Sequence, residues 1–246
     1  MIPISLRKQN NNHVQPQNCP QAFSSINLKL SSHSAHKVLN FNFFTNFKAI
    51  LLSSVLIFAI SDNAKAIPFT KVILDAGHGG HDLGGTFGLT YEKHLALDVV
   101  RRVDTYLKSQ GIATKLTRAR DEFISLQRRA RIANAESGAI FVSIHFNHAR
   151  SRKAAGIETF YHTKNKNSLK LAHMIQSASL YKTRANNRGV KKANFLVLSK
   201  NNRPAVLLEC AFLTNSSDRF RALDPEYRQR IAEAVAMGII KFRQSN

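Results

Sequence analysis

The chain has 246 residues and a formal net charge of +21 at pH 7, with 36 Lys and Arg against 15 Asp and Glu. This length fits one or two domains, and such an excess of cations predicts an anionic partner. We expect no nucleic acid among the partners, because the basic residues are scattered and form no basic helix or aromatic-interleaved patch, and a basic nucleic-acid binder is the least favoured alternative. A Lys- and Arg-rich soluble surface without a special partner stays open as an alternative.

The first 66 residues have the layout of a polar extension followed by a secretory signal peptide. Residues 1–48 are polar with little periodicity, and the apolar run at residues 49–60 is shorter than the roughly 20 residues that span a bilayer. The small residues of Ala64-Lys65-Ala66 then predict cleavage after Ala66. We expect an exported protein of the periplasm or cell envelope, and an uncleaved anchor or a true start near Val38 are the alternatives.

The remaining part, residues 67–246, is long enough for a single domain with a sizeable core, and we expect it to be a monomer. Removal of residues 1–66 takes away six Lys or Arg and one Asp, which leaves a net charge of +16. An exported protein with this charge is expected to meet an anionic envelope surface, such as cell-wall polymer or lipid headgroups. Only Cys210 remains of the two cysteines, so an intrachain disulfide is excluded.

Strand-like apolar runs alternate with amphipathic helical patterns from residue 71 to residue 242. Near-continuous apolar strands between such helices predict a three-layer α/β domain that is covered on both faces of its sheet. In chain order, the spacing predicts a strand at 71–76, a helix at 92–110, a strand at 112–117, a helix at 126–137, strands at 139–146 and 156–162, a helix at 169–181, strands at 195–198 and 205–210, and a helix at 226–242.

Four residues stand where chemistry is expected in such a domain. His78 follows the first strand among glycines, Glu92 opens the first helix, and His145 and Glu209 end two apolar strands. In an open α/β sheet, ligands bind beyond the carboxyl ends of the strands. Two imidazoles and one carboxylate can hold Zn²⁺ with a fourth position open, and a further carboxylate can then act as a general base. Spacing alone also leaves ordinary structural roles open for these residues.

Seven blocks carry a resemblance that is more specific than the spacing. They are ILDAGHGGHD (73–82), Glu92, TRARD (117–121), LQRRARIAN (126–134), SIHFN (143–147), RGVKKANF (188–195) and PAVLLE (204–209). By these blocks and their order, the chain from Lys71 to about Phe242 resembles the zinc-dependent N-acetylmuramoyl-L-alanine amidases, which are cell-wall hydrolases.

The resemblance implies a fold, a cofactor and a reaction. The fold is a single catalytic domain with a mixed, mostly parallel sheet flanked by helices. The resemblance implies that His78, Glu92 and His145 bind zinc and that Glu209 is the catalytic base. The implied substrate is peptidoglycan, cut at the amide that joins the lactyl group of N-acetylmuramic acid to L-alanine of the stem peptide.

Several neighbouring residues have two interpretations each. Asn147 and Asn194 are expected to contact substrate, although Asn147 is also placed to cap the end of its strand. Asp75 and Asp82 are expected either to orient ligand imidazoles or to stabilise turns. Surface or structural pairing is expected for Arg118 and Arg129.

Rival chemistries remain on the sequence alone. Ser179-Leu-Tyr-Lys182 fits the Ser-x-x-Lys pattern of penicillin-binding serine enzymes, and Ser199-Lys-Asn201 fits their Ser-x-Asn pattern, but the Lys-Thr-Gly element is absent. This reading would give a serine carboxypeptidase that acts on peptidoglycan. Another zinc amide hydrolase, such as a carboxypeptidase or a sugar deacetylase, and a wall-binding module without activity are further alternatives.

Overall fold

The computed structural model of the protein describes residues 69–245, so the predicted extension and signal peptide at residues 1–66 lie outside the described residues. The strands of the described part are β1 (Lys71–Ala76), β2 (Thr86–Phe87), β3 (Thr90–Tyr91), β4 (Ala113–Leu116), β5 (Ala139–Asn147), β6 (Ile157–Tyr161), β7 (Asn187–Lys192) and β8 (Ala205–Phe212). Its helices are α1 (Glu92–Ser109), α2 (Leu126–Asn134), α3 (Asn167–Thr183), α4 (Leu196–Ser199), α5 (Ser216–Leu223) and α6 (Pro225–Gln244). None of the helices between residues 69 and 245 is long and apolar enough to cross a bilayer.

Six strands form one mixed sheet in the order β4-β1-β5-β8-β6-β7, and β2 pairs with β3 in a separate hairpin. All neighbours in the large sheet are parallel except β6 and β8, which are antiparallel. The central strands β1, β5 and β8 are buried along nearly their whole length. This burial explains their near-continuous apolar sequences, because helices cover both faces of the sheet and both sets of side chains are therefore excluded from solvent.

Two hydrophobic cores lie on opposite faces of the sheet. The larger core packs one face against α1, α3 and α6, through residues such as Val100, Ile175 and Ile239. The smaller core packs the other face against α2 and α4, around Phe141 and Leu207. The prediction of a three-layer α/β domain with a mixed, mostly parallel sheet is therefore confirmed.

The prediction of a strand at residues 195–198 is wrong. The chain forms the short helix α4 there, in which the amide of Ser199 donates to the carbonyl oxygen of Phe195 at 2.8 Å and the amide of Lys200 donates to that of Leu196 at 3.0 Å. Val197 and Leu198 are buried in the smaller core. A short apolar run is compatible with either a strand or a helix, so its periodicity could not decide between them.

Three elements have no counterpart in the predicted order, namely the β2–β3 hairpin, strand β7 and helix α5. Strand β7 has the sequence NRGVKK, which lacks apolar alternation because it is an edge strand paired with β6 alone. Helix α5 carries a detectable signal, since the Asn215 side chain caps it by accepting a hydrogen bond from the amide of Asp218.

Candidate active site

The candidate site lies at the carboxyl edge of the sheet, where loops and strand ends converge. His78 lies in the loop after β1, Glu92 is the first residue of α1, and His145 lies near the end of β5. Glu209 in β8 is the direct cross-strand partner of His145. Parallel strands that end at the same edge bring these four residues of distant sequence positions together.

His78, Glu92 and His145 form a cluster whose potential ligand atoms all lie within 4.8 Å of one another. The buried Glu92 carboxylate faces His145 Nδ1 at 2.7 Å with its Oε1 atom and His78 Nε2 at 3.2 Å with its Oε2 atom. Its two oxygens also accept backbone hydrogen bonds from Phe146 and Gly85. Burial alone would raise the pKa of Glu92, but hydrogen bonds to the two imidazoles outweigh it and hold the pKa far below its usual range.

Asp82 orients the imidazole of His78. Both carboxylate oxygens of Asp82 lie 2.9 Å from His78 Nδ1, so the carboxylate accepts from Nδ1–H and the ring presents Nε2 to Glu92 at 3.2 Å. A carboxylate behind a histidine is the usual arrangement for a metal-binding imidazole, because it fixes the tautomer and raises the basicity of the ring. The expectation that Asp82 orients a ligand imidazole agrees with this contact.

Asp75 does not play that part, and neither of its two expected roles is correct. Its carboxylate is fully buried and accepts hydrogen bonds from Thr117 and Ser143, both at 2.6 Å, and from Arg129 at 2.8 Å. Burial alone would raise the pKa of Asp75, but the Arg129 charge and the hydroxyl hydrogen bonds lower it. Asp75 is thus an ionised partner of Arg129, and it does not contact the imidazole of His78 or of His145.

Arg118 and Arg129 are almost fully buried and bind the backbone that carries His78. Arg118 donates to the carbonyl oxygens of Ala76 at 3.0 Å and Gly77 at 2.7 Å, and Arg129 donates to those of Ala76 and His78, both at 2.6 Å. His78 has a φ of 59°, a left-handed conformation that is uncommon outside glycine. The two guanidinium groups therefore hold a strained backbone that points the His78 side chain at Glu92.

Two glycines leave the space that the imidazoles occupy. A Cβ atom on Gly77 would lie 2.4 Å from the ring of His145, and one on Gly84 would lie 2.6 Å from the ring of His78. No real Cβ atom approaches a heavy atom this closely, so any side chain at either position would displace a ring. Gly84 also has a φ of 71°, which adds backbone strain to any replacement.

Glu209 lies beside the His78–Glu92–His145 cluster, and one of its two carboxylate oxygens makes no hydrogen bond within residues 69–245. Its Oε2 atom is buried and has no hydrogen-bond partner among residues 69–245. Burial, followed by the negative charges of Glu92 and Glu158, raises the pKa of Glu209 well above its usual value. A carboxylate with a raised pKa and a free oxygen is suited to accept a proton and return it.

A cavity of about 260 Å³ opens over these groups and is lined by His78, Leu126, His145, Phe195, Leu196, Val197, Leu207 and Glu209. Both imidazoles and the Glu209 carboxylate thus face one space. A larger cavity, of about 400 Å³, lies between α1 and α6 and contains none of these residues. The apolar side chains at the rim, Leu126 and Phe195, are partly exposed and offer surface to a ligand.

Glu158 was not predicted from the sequence, yet it adjoins Glu209 in the sheet as its cross-strand partner. It is buried and accepts hydrogen bonds from Asn147 Nδ2 at 2.9 Å, Arg188 Nε at 2.7 Å and Lys191 Nζ at 2.6 Å. One signal was available, because a glutamate inside the apolar strand pattern of residues 156–162 needs a partner. We call Asn147, Glu158, Arg188 and Lys191 the Glu158 cluster.

The two predicted substrate-binding residues have different surroundings. Asn147 belongs to the Glu158 cluster, and its side-chain amide is directed to Glu158. Asn194 is exposed in the loop between β7 and α4, next to Phe195 of the cavity wall. The substrate role of both residues remains a prediction.

The residues of the serine alternative do not form a site. Ser179 is fully buried in α3, and Lys182 forms an ion pair with Glu233 of α6 at 2.8 Å. Neither residue lines the cavity at the sheet edge. A serine nucleophile needs an adjacent base and access to substrate, so the structure gives this alternative no support.

Comparison with known proteins identifies the family. The family model described as N-acetylmuramoyl-L-alanine amidase, Amidase_3, matches residues 72–241. The uncharacterized protein YqiI of Bacillus subtilis is 37% identical over 178 residues, covering 72% of this chain and 86% of YqiI. The N-acetylmuramoyl-L-alanine amidase LytC of B. subtilis is 32% identical over 214 residues, covering 86% of this chain but only 43% of LytC.

The solved structures agree with the sequence comparisons. The crystal structure of an N-acetylmuramoyl-L-alanine amidase from Clostridium difficile 630 superposes with a TM-score of 0.68 and 35% identity, covering 71% of this chain and 97% of that one. The fold and about a third of the aligned residues are therefore shared with this amidase. The chain belongs to the Amidase_3 family of N-acetylmuramoyl-L-alanine amidases.

Proposed function

We propose that this protein is a zinc-dependent peptidoglycan hydrolase that cleaves the amide between N-acetylmuramic acid and L-alanine of the stem peptide. One observation carries the proposal: the Glu209 carboxylate faces the same cavity as the imidazoles of the His78–Glu92–His145 cluster. A metal-binding triad beside a carboxylate without a hydrogen-bond partner at Oε2 is the arrangement that metal-assisted amide hydrolysis needs.

The residues present fit a zinc ion. Two imidazoles and one carboxylate are a donor set that zinc enzymes use, and such sites leave a fourth position for water or substrate. The ring of His78 is held for this purpose by Asp82, and Gly77 and Gly84 leave room for the two rings. When bound, zinc lowers the pKa of a coordinated water to about 7 and polarises the substrate carbonyl.

Glu209 supplies the proton transfers. Its carboxylate accepts a proton from the attacking water as the new carbon–oxygen bond forms at the lactyl carbonyl. The same carboxyl group then gives the proton to the amide nitrogen as the carbon–nitrogen bond breaks. The products are a lactyl carboxylic acid and a peptide with a free L-alanine amine. The raised pKa of Glu209 favours this exchange, because the group can hold the proton between the two steps.

The location proposed for this activity is the cell envelope. Probable cell wall amidases named LytH from staphylococci are about 30% identical over some 70% of this chain. Peptidoglycan lies outside the cytoplasmic membrane, so the signal-peptide pattern in residues 1–66 is consistent with this substrate. We propose export to the periplasm or cell envelope, where the net positive charge of the domain would favour anionic polymer.

Mass spectrometry of muropeptides tests the proposal. The protein would be incubated with purified peptidoglycan, with a chelator, and with a chelator followed by excess zinc. We expect free stem peptides that begin at L-alanine, their loss in chelator and their return with zinc. Release of terminal D-alanine or of acetate instead would identify a carboxypeptidase or a deacetylase and would contradict the proposal. Release of the same amount of stem peptide with and without chelator would contradict the proposed zinc dependence.

A further inference from the structure

The Glu158 cluster carries more positive charge than its own carboxylate can neutralise. Arg188 and Lys191 both bind the same oxygen of Glu158, Oε2, at 2.7 and 2.6 Å. One carboxylate thus faces two cations, which leaves a net charge of +1 at this point. Asp98 and Glu136 also face two cations each, but neither carboxylate adjoins the cavity at the sheet edge. The Glu158 cluster differs from both because Glu158 is the cross-strand partner of Glu209.

Donor groups of both cations remain available. Within residues 69–245, Arg188 uses only Nε in a hydrogen bond, so its two Nη atoms have no partner there, and Lys191 uses one of its three N–H groups. The guanidinium of Arg188 lies over the ring of Phe212, with 4.6 Å between its central carbon and the ring centroid. About a third of the Arg188 side chain and 40% of the Lys191 side chain are exposed to solvent. Both cations are therefore anchored on one side and open on the other.

The position of the cluster matches the path of the leaving peptide. Along the sheet edge, the His78–Glu92–His145 cluster lies on the β1 and β5 side of Glu209, and the Glu158 cluster lies on the β6 and β7 side. Glu209 gives its proton to the leaving nitrogen, so the leaving peptide begins next to Glu209. A chain that continues away from the metal cluster then passes over Glu158, Arg188 and Lys191.

The distances are compatible with a carboxylate close to the cut. Neighbouring strands lie about 4.8 Å apart, so the open donors of β7 lie roughly 5 to 10 Å beyond Glu209. Two residues of extended peptide span about 7 Å. The group that reaches these donors is thus the α-carboxylate of the residue that follows L-alanine, where stem peptides carry either a free acid or an amide.

Resting on the proposed function, the geometry points to a carboxylate subsite formed by Arg188 and Lys191 and held in place by Glu158, which selects stem peptides with a free acid one residue after L-alanine. Arg188 and Lys191 would bind this acid with charge-assisted hydrogen bonds. Glu158 is a positioning residue in this scheme, because it orders the two side chains without touching the peptide.

Two synthetic substrates test the subsite. Both contain N-acetylmuramic acid, L-alanine and D-glutamate linked onward through its γ-carboxyl group, and they differ only in whether the α-carboxyl group is free or amidated. We expect the wild-type protein to have a KM about tenfold lower for the free acid. In the Lys191→Gln and Arg188→Gln variants, KM for the acid should rise about tenfold, and KM for the amide should change less than twofold. Calorimetry with the free peptide products should show the same preference without turnover.

The variants keep the experiment interpretable. Each single substitution leaves Glu158 with two of its three partners, so the sheet edge should stay folded, and a urea unfolding curve checks this. Lys182→Gln is the matched control, because it removes one partly exposed cation from an ion pair outside the cavity. Equal KM values for acid and amide in the wild type, or parallel losses on both substrates in the variants, would overturn the subsite. Failure of the wild type to cut either substrate after the lactyl group would overturn the proposed function itself.

Discussion

Arg129 reaches from helix α2 to the loop after strand β1, where its Nη2 atom donates a 2.6 Å hydrogen bond to the carbonyl oxygen of His78. The same guanidinium forms an ion pair with the buried Asp75. Arg129 thus links the buried Asp75 to the backbone of His78, which is a proposed metal ligand. Because His78 has the left-handed φ of 59°, its orientation depends on this support.

Replacing Arg129 with Lys should weaken zinc binding without removing the buried charge. Lysine cannot donate from a planar fork to Asp75, Ala76 and His78 together. We expect the zinc dissociation constant to rise roughly 10- to 100-fold, the range seen when groups behind a ligand are lost. Competition with a chromophoric chelator measures this constant. Arg102→Lys, at a partly exposed ion pair on α1, is the control, and an equal effect of both changes would contradict the role of Arg129.

Gly77→Ala should impair the site more than it impairs folding. The added Cβ would lie 2.4 Å from the His145 ring, so the ring must shift from the position in which its Nδ1 atom faces Glu92 at 2.7 Å. We expect at least a tenfold loss of zinc affinity with a modest decrease in thermal stability. Gly111→Ala is the control. A Cβ at residue 111 would have no heavy atom within 4 Å, but the φ of 69° is unfavourable for alanine. This variant should lose about 1 kcal/mol of unfolding free energy and keep its zinc affinity. Normal zinc affinity in Gly77→Ala would contradict the claim that the space left by Gly77 positions the His145 ring in the metal site.

Glu209→Gln should separate metal binding from catalysis. Glutamine keeps the shape of the side chain but cannot accept and return a proton, so kcat should fall roughly 10²- to 10⁴-fold. Zinc content, measured by atomic absorption, should stay at one ion per chain. Glu233→Gln, which removes an ion-paired carboxylate outside the cavity, should leave kcat unchanged. A loss of less than tenfold in Glu209→Gln would mean that the general base lies elsewhere.

Asp75 should make the domain sensitive to acid. Its pKa in the folded protein lies below the value of 3.8 expected without the fold, so folding favours the ionised form. The stability that it contributes is fully present above about pH 5 and is lost as the pH falls through 3.8 toward the folded pKa. Asp75→Asn leaves Arg129 buried without its counter-charge, which should cost about 3 to 5 kcal/mol at pH 7.

Urea unfolding between pH 2 and pH 7 tests whether the contribution of Asp75 to stability decreases as the pH falls. The difference in unfolding free energy between wild type and Asp75→Asn should be largest at neutral pH and should shrink below pH 4. A difference that stays constant down to pH 2 would show that Asp75 is not an ionised partner of Arg129.

The sequence predicts the centre of the fold well, because strands β1, β5 and β8 are buried on both faces and therefore read as unbroken apolar runs. Placing polar residues at the ends of those runs is enough to nominate His78, His145 and Glu209. The edge of the sheet is harder to predict, since β7 is polar and pairs only with β6. The Glu158 cluster depends on that pairing, which no local pattern reveals.

The buried arginines mark a second limit of the sequence. Long charged side chains are rarely buried unless they are paired, so the sequence predicts surface or structural pairing for Arg118 and Arg129. Their partners are mainly backbone carbonyl oxygens of the segment around His78. Every residue has a backbone carbonyl group, so residue types do not indicate which carbonyl oxygens accept these hydrogen bonds. Only the fold shows that both side chains support the proposed metal site.

Anomalous diffraction at the zinc absorption edge, on crystals of the zinc-loaded protein, tests the central claim most directly. We expect one strong peak about 2.0 to 2.2 Å from a donor atom of His78, of Glu92 and of His145. The fourth position should face the cavity within reach of the Glu209 carboxylate. A peak elsewhere in the molecule, or a zinc ion that contacts fewer than two of these three residues, would contradict the proposed active site.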